Sequence, residues 1–257
     1  MTDGVLLRVE GLSLYFGGLA ALDDVSFTTG GGICGLIGPN GAGKTTLLNV
    51  VSGVLSPSRG RIAIDDRPTA GLPPHRLAAL GVARTFQNVR LFGELSVLDN
   101  VRLGYHLHQH GTLLETVLRL PRARREERQS AAAALALLDR LGLAHLARAE
   151  ASALAYGDQR RVEIARALAL EPRLLLLDEP AAGLNAAETE QLGQFLGTLR
   201  AEGRTLLLVE HDMDLIMRVC DQIVVLNFGR KIADGAPDAV RNDPAVRDAY
   251  LGEHAAR

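Results

Sequence analysis

One stretch narrows the possible folds more than any other. The apolar run Ile33-Cys34-Gly35-Leu36-Ile37 leads into Gly38-Pro39-Asn40-Gly41-Ala42-Gly43-Lys44-Thr45-Thr46 and then a helix-like run ending at Val51. Strand, glycine-rich loop and helix in that order fit the phosphate-binding pattern G-x-x-x-x-G-K-[ST] and predict an α/β chain with a nucleotide site. A triphosphate concentrates negative charge. The expected answer is a nest of backbone N–H groups, a helix N-terminus and one ammonium. Gly38, Asn40, Gly41, Gly43, Lys44, Thr45 and Thr46 are the candidate phosphate contacts. Lys44 is expected to bridge the β- and γ-phosphates, and the Thr45 hydroxyl to ligand Mg²⁺.

Composition sharpens the reading of Lys44. Of 28 Lys plus Arg, only Lys44 and Lys231 are lysine. A lysine in this loop therefore points to a site that needs a compact point charge rather than a planar fork. The formal net charge of −2 argues against nucleic acid as the partner. The longest apolar runs, Leu174–Leu177 and Ala131–Leu138, fall well short of the roughly 18–20 residues that span a bilayer. Met1-Thr2-Asp3-Gly4 carries no basic or apolar leader. Cys34 and Cys220 sit in apolar surroundings without metal spacing and are expected to be buried and reduced. These features predict a cytoplasmic location.

Short β-branched and apolar runs alternate with helical patterns, as in α/β folds. Strands are predicted at Leu6–Leu14, Val25–Thr28, Ile33–Ile37, Arg61–Ile64, Val82–Phe86, Leu174–Leu177, Thr205–Val209, Gln222–Leu226 and Lys231–Ala233. The earliest, with Asp23-Asp24 between apolar runs, predict a small antiparallel sheet. Leu174–Leu177 and Leu206–Val209 are uniformly apolar, as strands covered on both faces should be. From about Leu98 to Ala169 no strand is predicted. A helix should start at Ser96-Val97-Leu98-Asp99, and an amphipathic helix should occupy Ser130–Gly142 and close on its glycine. Residues 98–169 are thus expected to form a helical subdomain inserted into a core made of 1–97 and 170–257. Between its helices Arg119, Arg122, Arg124, Arg125 and Arg128 cluster, as on a solvated helix face or one that meets anionic lipid.

Leu174-Leu175-Leu176-Leu177-Asp178-Glu179-Pro180 reads as the second half of the site. Carboxylates at the end of a buried strand are costly unless paired or metal-bound. Asp178 suits the Mg²⁺ shell, directly or through water, and Glu179 suits polarising an attacking water.

Leu154-Ala155-Tyr156-Gly157-Asp158-Gln159-Arg160-Arg161, followed by a helix and then the acidic strand, resembles the signature motif of ATP-binding-cassette ATPases, usually Leu-Ser-Gly-Gly-Gln. The resemblance covers essentially the whole chain. It implies a P-loop NTPase core of mixed sheet and flanking helices, with an N-terminal antiparallel β subdomain and an inserted helical subdomain. It also implies an ATPase that uses ATP and Mg²⁺. Phe16 stands where the family stacks an aromatic on adenine. Gln87, in Arg84-Thr85-Phe86-Gln87-Asn88, resembles the glutamine that joins core to helical subdomain and touches Mg²⁺ or the water. His211 resembles the switch histidine that reads the γ-phosphate, and Ala181-Ala182-Gly183-Leu184-Asn185 resembles the dimer-contact loop. The resemblance thus implies catalytic roles for Lys44, Gln87, Glu179 and His211, and metal contacts from Thr45, Gln87 and Asp178. Ala155, Tyr156 and Gly157 would complete the nucleotide site of a second subunit.

Two positions depart from the family pattern: Ala155 replaces the usual serine, and Asn185 the usual aspartate. Both, with Arg84–Phe92, resemble one ATPase subunit of branched-chain amino-acid importers. That implies a head-to-tail dimer with a similar or identical ATPase, two transmembrane permease subunits and, indirectly, an extracytoplasmic solute-binding protein. The place implied is the cytoplasmic face of the membrane. ATPases of urea or amide importers, of lipopolysaccharide exporters and of iron–sulfur assembly share much of the pattern and stand as alternatives.

Overall fold

A computed structural model describes residues 5–86, 89–108 and 121–255. Its strands are β1 (Leu7–Phe16), β2 (Leu19–Thr29), β3 (Gly32–Ile37), β4 (Arg59–Ile64), β5 (Arg67–Pro68), β6 (Val82–Arg84), β7 (Leu174–Asp178), β8 (Thr205–Val209), β9 (Gln222–Asn227) and β10 (Arg230–Gly235). Its α-helices are α1 (Lys44–Val51), α2 (Pro74–Ala79), α3 (Val97–Gly104), α4 (Pro121–Arg140), α5 (Tyr156–Leu168), α6 (Ala186–Ala201), α7 (Met213–Val219), α8 (Pro237–Arg241) and α9 (Pro244–Ala255). Contacts divide the chain into two compact units, Met1–Arg84 with Arg173–Arg257, and Thr85–Pro172.

In the first unit the N-terminal strands form an antiparallel sheet, ordered β2-β1-β4-β5. The second sheet is ordered β10-β9-β3-β8-β7-β6, parallel except for its β10 edge. Every residue of β7 and β8 is buried, which explains why both lack the alternation of a half-exposed strand. One apolar core joins the two sheets through residues such as Leu12, Leu22, Leu36, Leu48 and Leu207. The arrangement sends the C-terminal ends of β3, β7 and β8 into loops on one edge, where α/β sheets build their ligand crevices.

The predicted strands are present with three differences. β2 begins at Leu19, so Asp23 and Asp24 lie inside it; Asp24 adopts φ 56°, and the β1–β2 register shifts beside it. β5 is a two-residue edge strand whose proline hides it from a propensity reading. β6 ends at Arg84 rather than Phe86.

In the second unit Ser96 caps α3, its hydroxyl accepting from the Asp99 N–H at 3.0 Å. The helix expected from Ser130 is the second half of α4, which starts nine residues earlier. An Arg122–Glu126 pair at i,i+4 and an Arg102–Glu127 pair support that polar first half. Gly142 at φ 70° ends it, with Gly142 N–H on Asp139 O and Leu143 N–H on Leu138 O. Arg122, Arg124, Arg125 and Arg128 are exposed along α4, and Arg119 lies outside the described residues. A Cβ on Gly104 would sit 2.3 Å from Arg166 O, so α3 and α5 approach as only glycine allows. The unit begins at Thr85 rather than near residue 98 because the segment before α3 is bound by α3 itself. Buried Asn100 accepts from Phe92 N–H at 2.9 Å and donates to the Phe92 and Ser96 carbonyls.

Candidate nucleotide site

The loop after β3 is shaped by what lies behind it. Gly38 has φ 147°, and a Cβ there would sit 2.1 Å from Leu226 O; on Gly43, at φ 104°, it would sit 2.7 Å from Ala21 O. Both positions therefore exclude a side chain on steric as well as conformational grounds. Gly229 N–H donates to Ala42 O at 3.0 Å and so braces the loop from the β9–β10 turn. Lys44 opens α1, is buried, and donates from Nζ to Gly38 O at 2.6 Å and Pro39 O at 2.9 Å. Its ammonium is thus held within the concave side of the loop that it closes. Asn40, Gly41 and Thr45 are exposed, and Thr46 is partly so. Phe16 ends β1 with half its surface exposed, opposite Leu19 in the hairpin. An aromatic face is therefore open to a flat ring.

At the end of β7, Asp178 is buried and accepts from Arg84 Nη2 at 3.1 Å. The next residue, Glu179, adopts φ 50°, and its N–H bonds Val209 O at 2.9 Å, continuing the β7–β8 ladder past the strand end. A left-handed glutamate is strained, and such residues gather at functional sites. Its Oε1 lies 2.7 Å from Nε2 of His211; the carboxylate is mostly buried, the imidazole half exposed. Glu210 ties both loops together. Its Oε1 accepts from Ala181 N–H at 2.6 Å and its Oε2 from His211 N–H at 3.1 Å. Burial raises the Glu210 pKa, and those two N–H groups offset part of the rise. Asn185 caps α6 in a reciprocal box with Glu188, so an amide oxygen does there what an aspartate would do.

The signature segment lies in the helical unit. Ala155 is the N-cap of α5 and provides no side-chain cap; Tyr156 is exposed and Gly157 buried. The first N–H groups of α5 therefore remain suited to an anion. One turn in, Arg160 is fully buried, and Nη1 donates to Glu163 Oε2 at 2.7 Å and to the Phe86 carbonyl. Glu163 Oε1 accepts from Phe86 N–H at 3.2 Å. The residue before Gln87 is thus clasped at both backbone groups by one ion pair. Gln87 itself lies outside the described residues.

The structure brings Glu179 to His211 and places Lys44 and Thr45 at the start of α1. It also shows ties that sequence reasoning missed: Arg84 to Asp178, Arg160 to Glu163 and Phe86, and Glu210 to two loops. The available signal was a charge set among apolar neighbours, as in Val82-Ala83-Arg84 and Arg160–Ile164. Among the described residues no group of three or more His, Cys, Asp and Glu could cage a metal. A hydroxyl and one carboxylate, both hard oxygen donors, do match an ion that also takes phosphate oxygens and water.

The sequence profile of the ABC transporter family matches residues 22–182. The chain is an ABC transporter ATP-binding cassette. It binds and hydrolyses ATP, as the family does. A profile described as "Branched-chain amino acid ATP-binding cassette transporter" matches residues 230–256. The high-affinity branched-chain amino acid transport ATP-binding protein BraF of Pseudomonas aeruginosa is 45% identical over 96% of this chain and 98% of its own. The corresponding LivG of Escherichia coli is 46% identical over the same shares. A lipopolysaccharide export ATP-binding protein of Acidithiobacillus ferridurans is 35% identical over 96% and 97%. Among solved structures, a nucleotide-free ATP-binding cassette from an ABC transporter superposes with TM-score 0.83 at 32% identity, covering 96% of this chain and 98% of that one. A dimeric bacterial ABC transporter cassette reaches 0.78 at 26%, covering 90% and 99%. Among the described residues no helix is long and apolar enough to cross a membrane.

Proposed function

We propose that this cassette energises an importer of branched-chain amino acids from the cytoplasmic face of the membrane. The observation that carries this reading is the near-full-length identity to two transport ATP-binding proteins named for that solute class, which exceeds the identity to the lipopolysaccharide export protein. The working assembly pairs the cassette head to tail with a similar or identical one, on two permease subunits served by a solute-binding protein.

The chain's own residues divide the hydrolytic work. Phe16 stacks on the base, and the N–H groups of the 38–46 loop with Lys44 neutralise the phosphates. The Thr45 hydroxyl and Asp178 carboxylate would hold Mg²⁺, which would supply charge neutralisation at the phosphates. Glu179 takes the proton of the attacking water as its oxygen bonds the γ-phosphorus and the bond to the β-phosphate oxygen breaks. His211, whose Nε2 already lies 2.7 Å from Glu179 Oε1, orients that carboxylate beside the γ-phosphate. The Ala155–Gly157 segment of the partner closes the site, so hydrolysis depends on pairing. The γ-phosphate is the contact that differs between closed and relaxed states.

The test is a pull-down of the Glu179→Gln chain in Mg-ATP from detergent-solubilised native membranes, read by mass spectrometry. Two polytopic membrane proteins and a second similar ATPase are expected, together with an amino-acid-binding protein. Lipopolysaccharide-export components or soluble partners alone would overturn the reading.

A further inference from the structure

The guanidinium of Arg84 is the centre of a buried junction within the first unit. Its side chain is 7% exposed and that of Asp178 is 2% exposed, so the two charges attract with little solvent to screen them. Nη2 donates to Asp178 Oδ2 at 3.1 Å; Nη1 donates to Asn49 Oδ1 at 2.8 Å and to Ser52 Oγ at 2.7 Å. The Ser52 hydroxyl donates its hydrogen bond to Leu48 O at 2.7 Å, so it is an acceptor toward Arg84. One planar cation thereby fixes the last residue of β7 to the far end of α1, the helix that Lys44 and Thr45 open. Only an arginine presents donors in that fork.

We propose that Arg84 is the resident counter-cation of Asp178 and makes divalent-metal binding conditional on the triphosphate. This rests on the assignment of Thr45 and Asp178 as metal ligands made above. A buried carboxylate with no cation beside it would draw Mg²⁺ from solution whether or not nucleotide were bound. With the permanent positive charge of Arg84 beside Asp178, a divalent cation meets repulsion that the carboxylate alone does not overcome. The phosphates bring the additional negative charge that reverses the balance, so metal and nucleotide enter together. Arg84 is a positioning residue in this account, since it acts on the metal through Asp178. The same contacts set the rotamer of Asp178 and its distance from α1, so metal affinity and loop position are controlled by one side chain.

Mn²⁺ serves as a paramagnetic probe for the divalent site, titrated by electron paramagnetic resonance with and without a non-hydrolysable ATP analogue. The wild-type chain is expected to bind Mn²⁺ only with the analogue. Arg84→Met is expected to bind Mn²⁺ without nucleotide, and with the analogue to lower the midpoint about tenfold, the scale of removing one nearby charge from a partly screened site. Arg84→Gln, neutral but still able to hydrogen-bond the same acceptors, gives the same reading if the methionine variant does not fold. Arg84→Lys keeps the charge and should hold the midpoint within about twofold of wild type, which separates charge from simple loss of rigidity. Equal Mn²⁺ midpoints in wild type and the neutral variants would overturn the inference while leaving the metal assignment standing. A wild-type chain with no nucleotide-dependent Mn²⁺ site would instead remove the Thr45–Asp178 assignment, and this inference with it.

Discussion

The phosphate-loop region and the signature region hold their functional residues in place by different physical means. Around Lys44, Asp178 and Glu179 the backbone does most of the positioning. β3, β7 and β8 are fully or almost fully buried neighbours in parallel register, and the ladder runs on past β7 to the Glu179 N–H. Around Ala155–Gly157 no sheet is available, and a buried ion pair on α5 grips the Phe86 backbone instead. A hydrogen-bonded ladder distributes a perturbation over many bonds. A single charge pair concentrates it, so the helical region should be the more brittle of the two, and the core region the more sensitive in chemistry than in stability.

Substitutions that remove one element at a time can break that contrast. The largest stability effect is expected from Arg160→Met, which strands a buried Glu163 and should lower unfolding free energy by about 3–5 kcal/mol in denaturant titration; a loss below about 1 kcal/mol would show that the pair is not a structural fulcrum. Lys44→Ala should act on ligand rather than fold. Calorimetry should find nucleotide affinity weakened by about 2–5 kcal/mol, the scale for removing one member of a buried charged contact, with thermal stability of the free chain less affected. Asn185→Ala removes one half of a capping box and should cost about 1 kcal/mol. The exposed pair Arg230–Asp23 gives the lower bound: Arg230→Gln should change stability by less than about 1 kcal/mol. If this surface substitution cost more than Arg160→Met, the comparison would fail.

Glu210 adds a pH signature to the same comparison. Burial raises its folded pKa above the unfolded value, so the unfolded chain holds fewer protons in the intervening range. Its stabilising contribution is complete below the ordinary carboxylate pKa and is lost as pH rises through the folded value. Glu210→Gln should therefore flatten that part of the stability–pH curve, and an unchanged slope would contradict the assignment.

Much of the core site was legible because its residues are contiguous in sequence. Gly38–Thr46 and Leu174–Glu179 each carry a local pattern whose chemistry follows from a strand leading into a loop. The ties that organise these segments were not legible, because their partners are remote: Arg84 and Asp178 are 94 residues apart, and Phe86 and Glu163 are 77. A single arginine at a strand end gives no hint of which carboxylate it meets. The cap at Asn185 was hidden differently. Noting only that it stands where aspartate is usual overlooked that an amide oxygen caps a helix as a carboxylate does. The early start of α4 also escaped, since its polar first half lacks apolar periodicity and depends on charge pairs.

The central claim is that Glu179 is the base of an ATPase site whose binding half is independent of it. The most direct measurement is phosphate release and calorimetric ATP affinity on the same preparations of wild type and Glu179→Gln, with Mg²⁺ and the partner cassette present. The account predicts affinity within a few-fold of wild type and a fall in phosphate release of about a hundredfold or more, the scale of general-base catalysis. Turnover equal to wild type at equal affinity would contradict it.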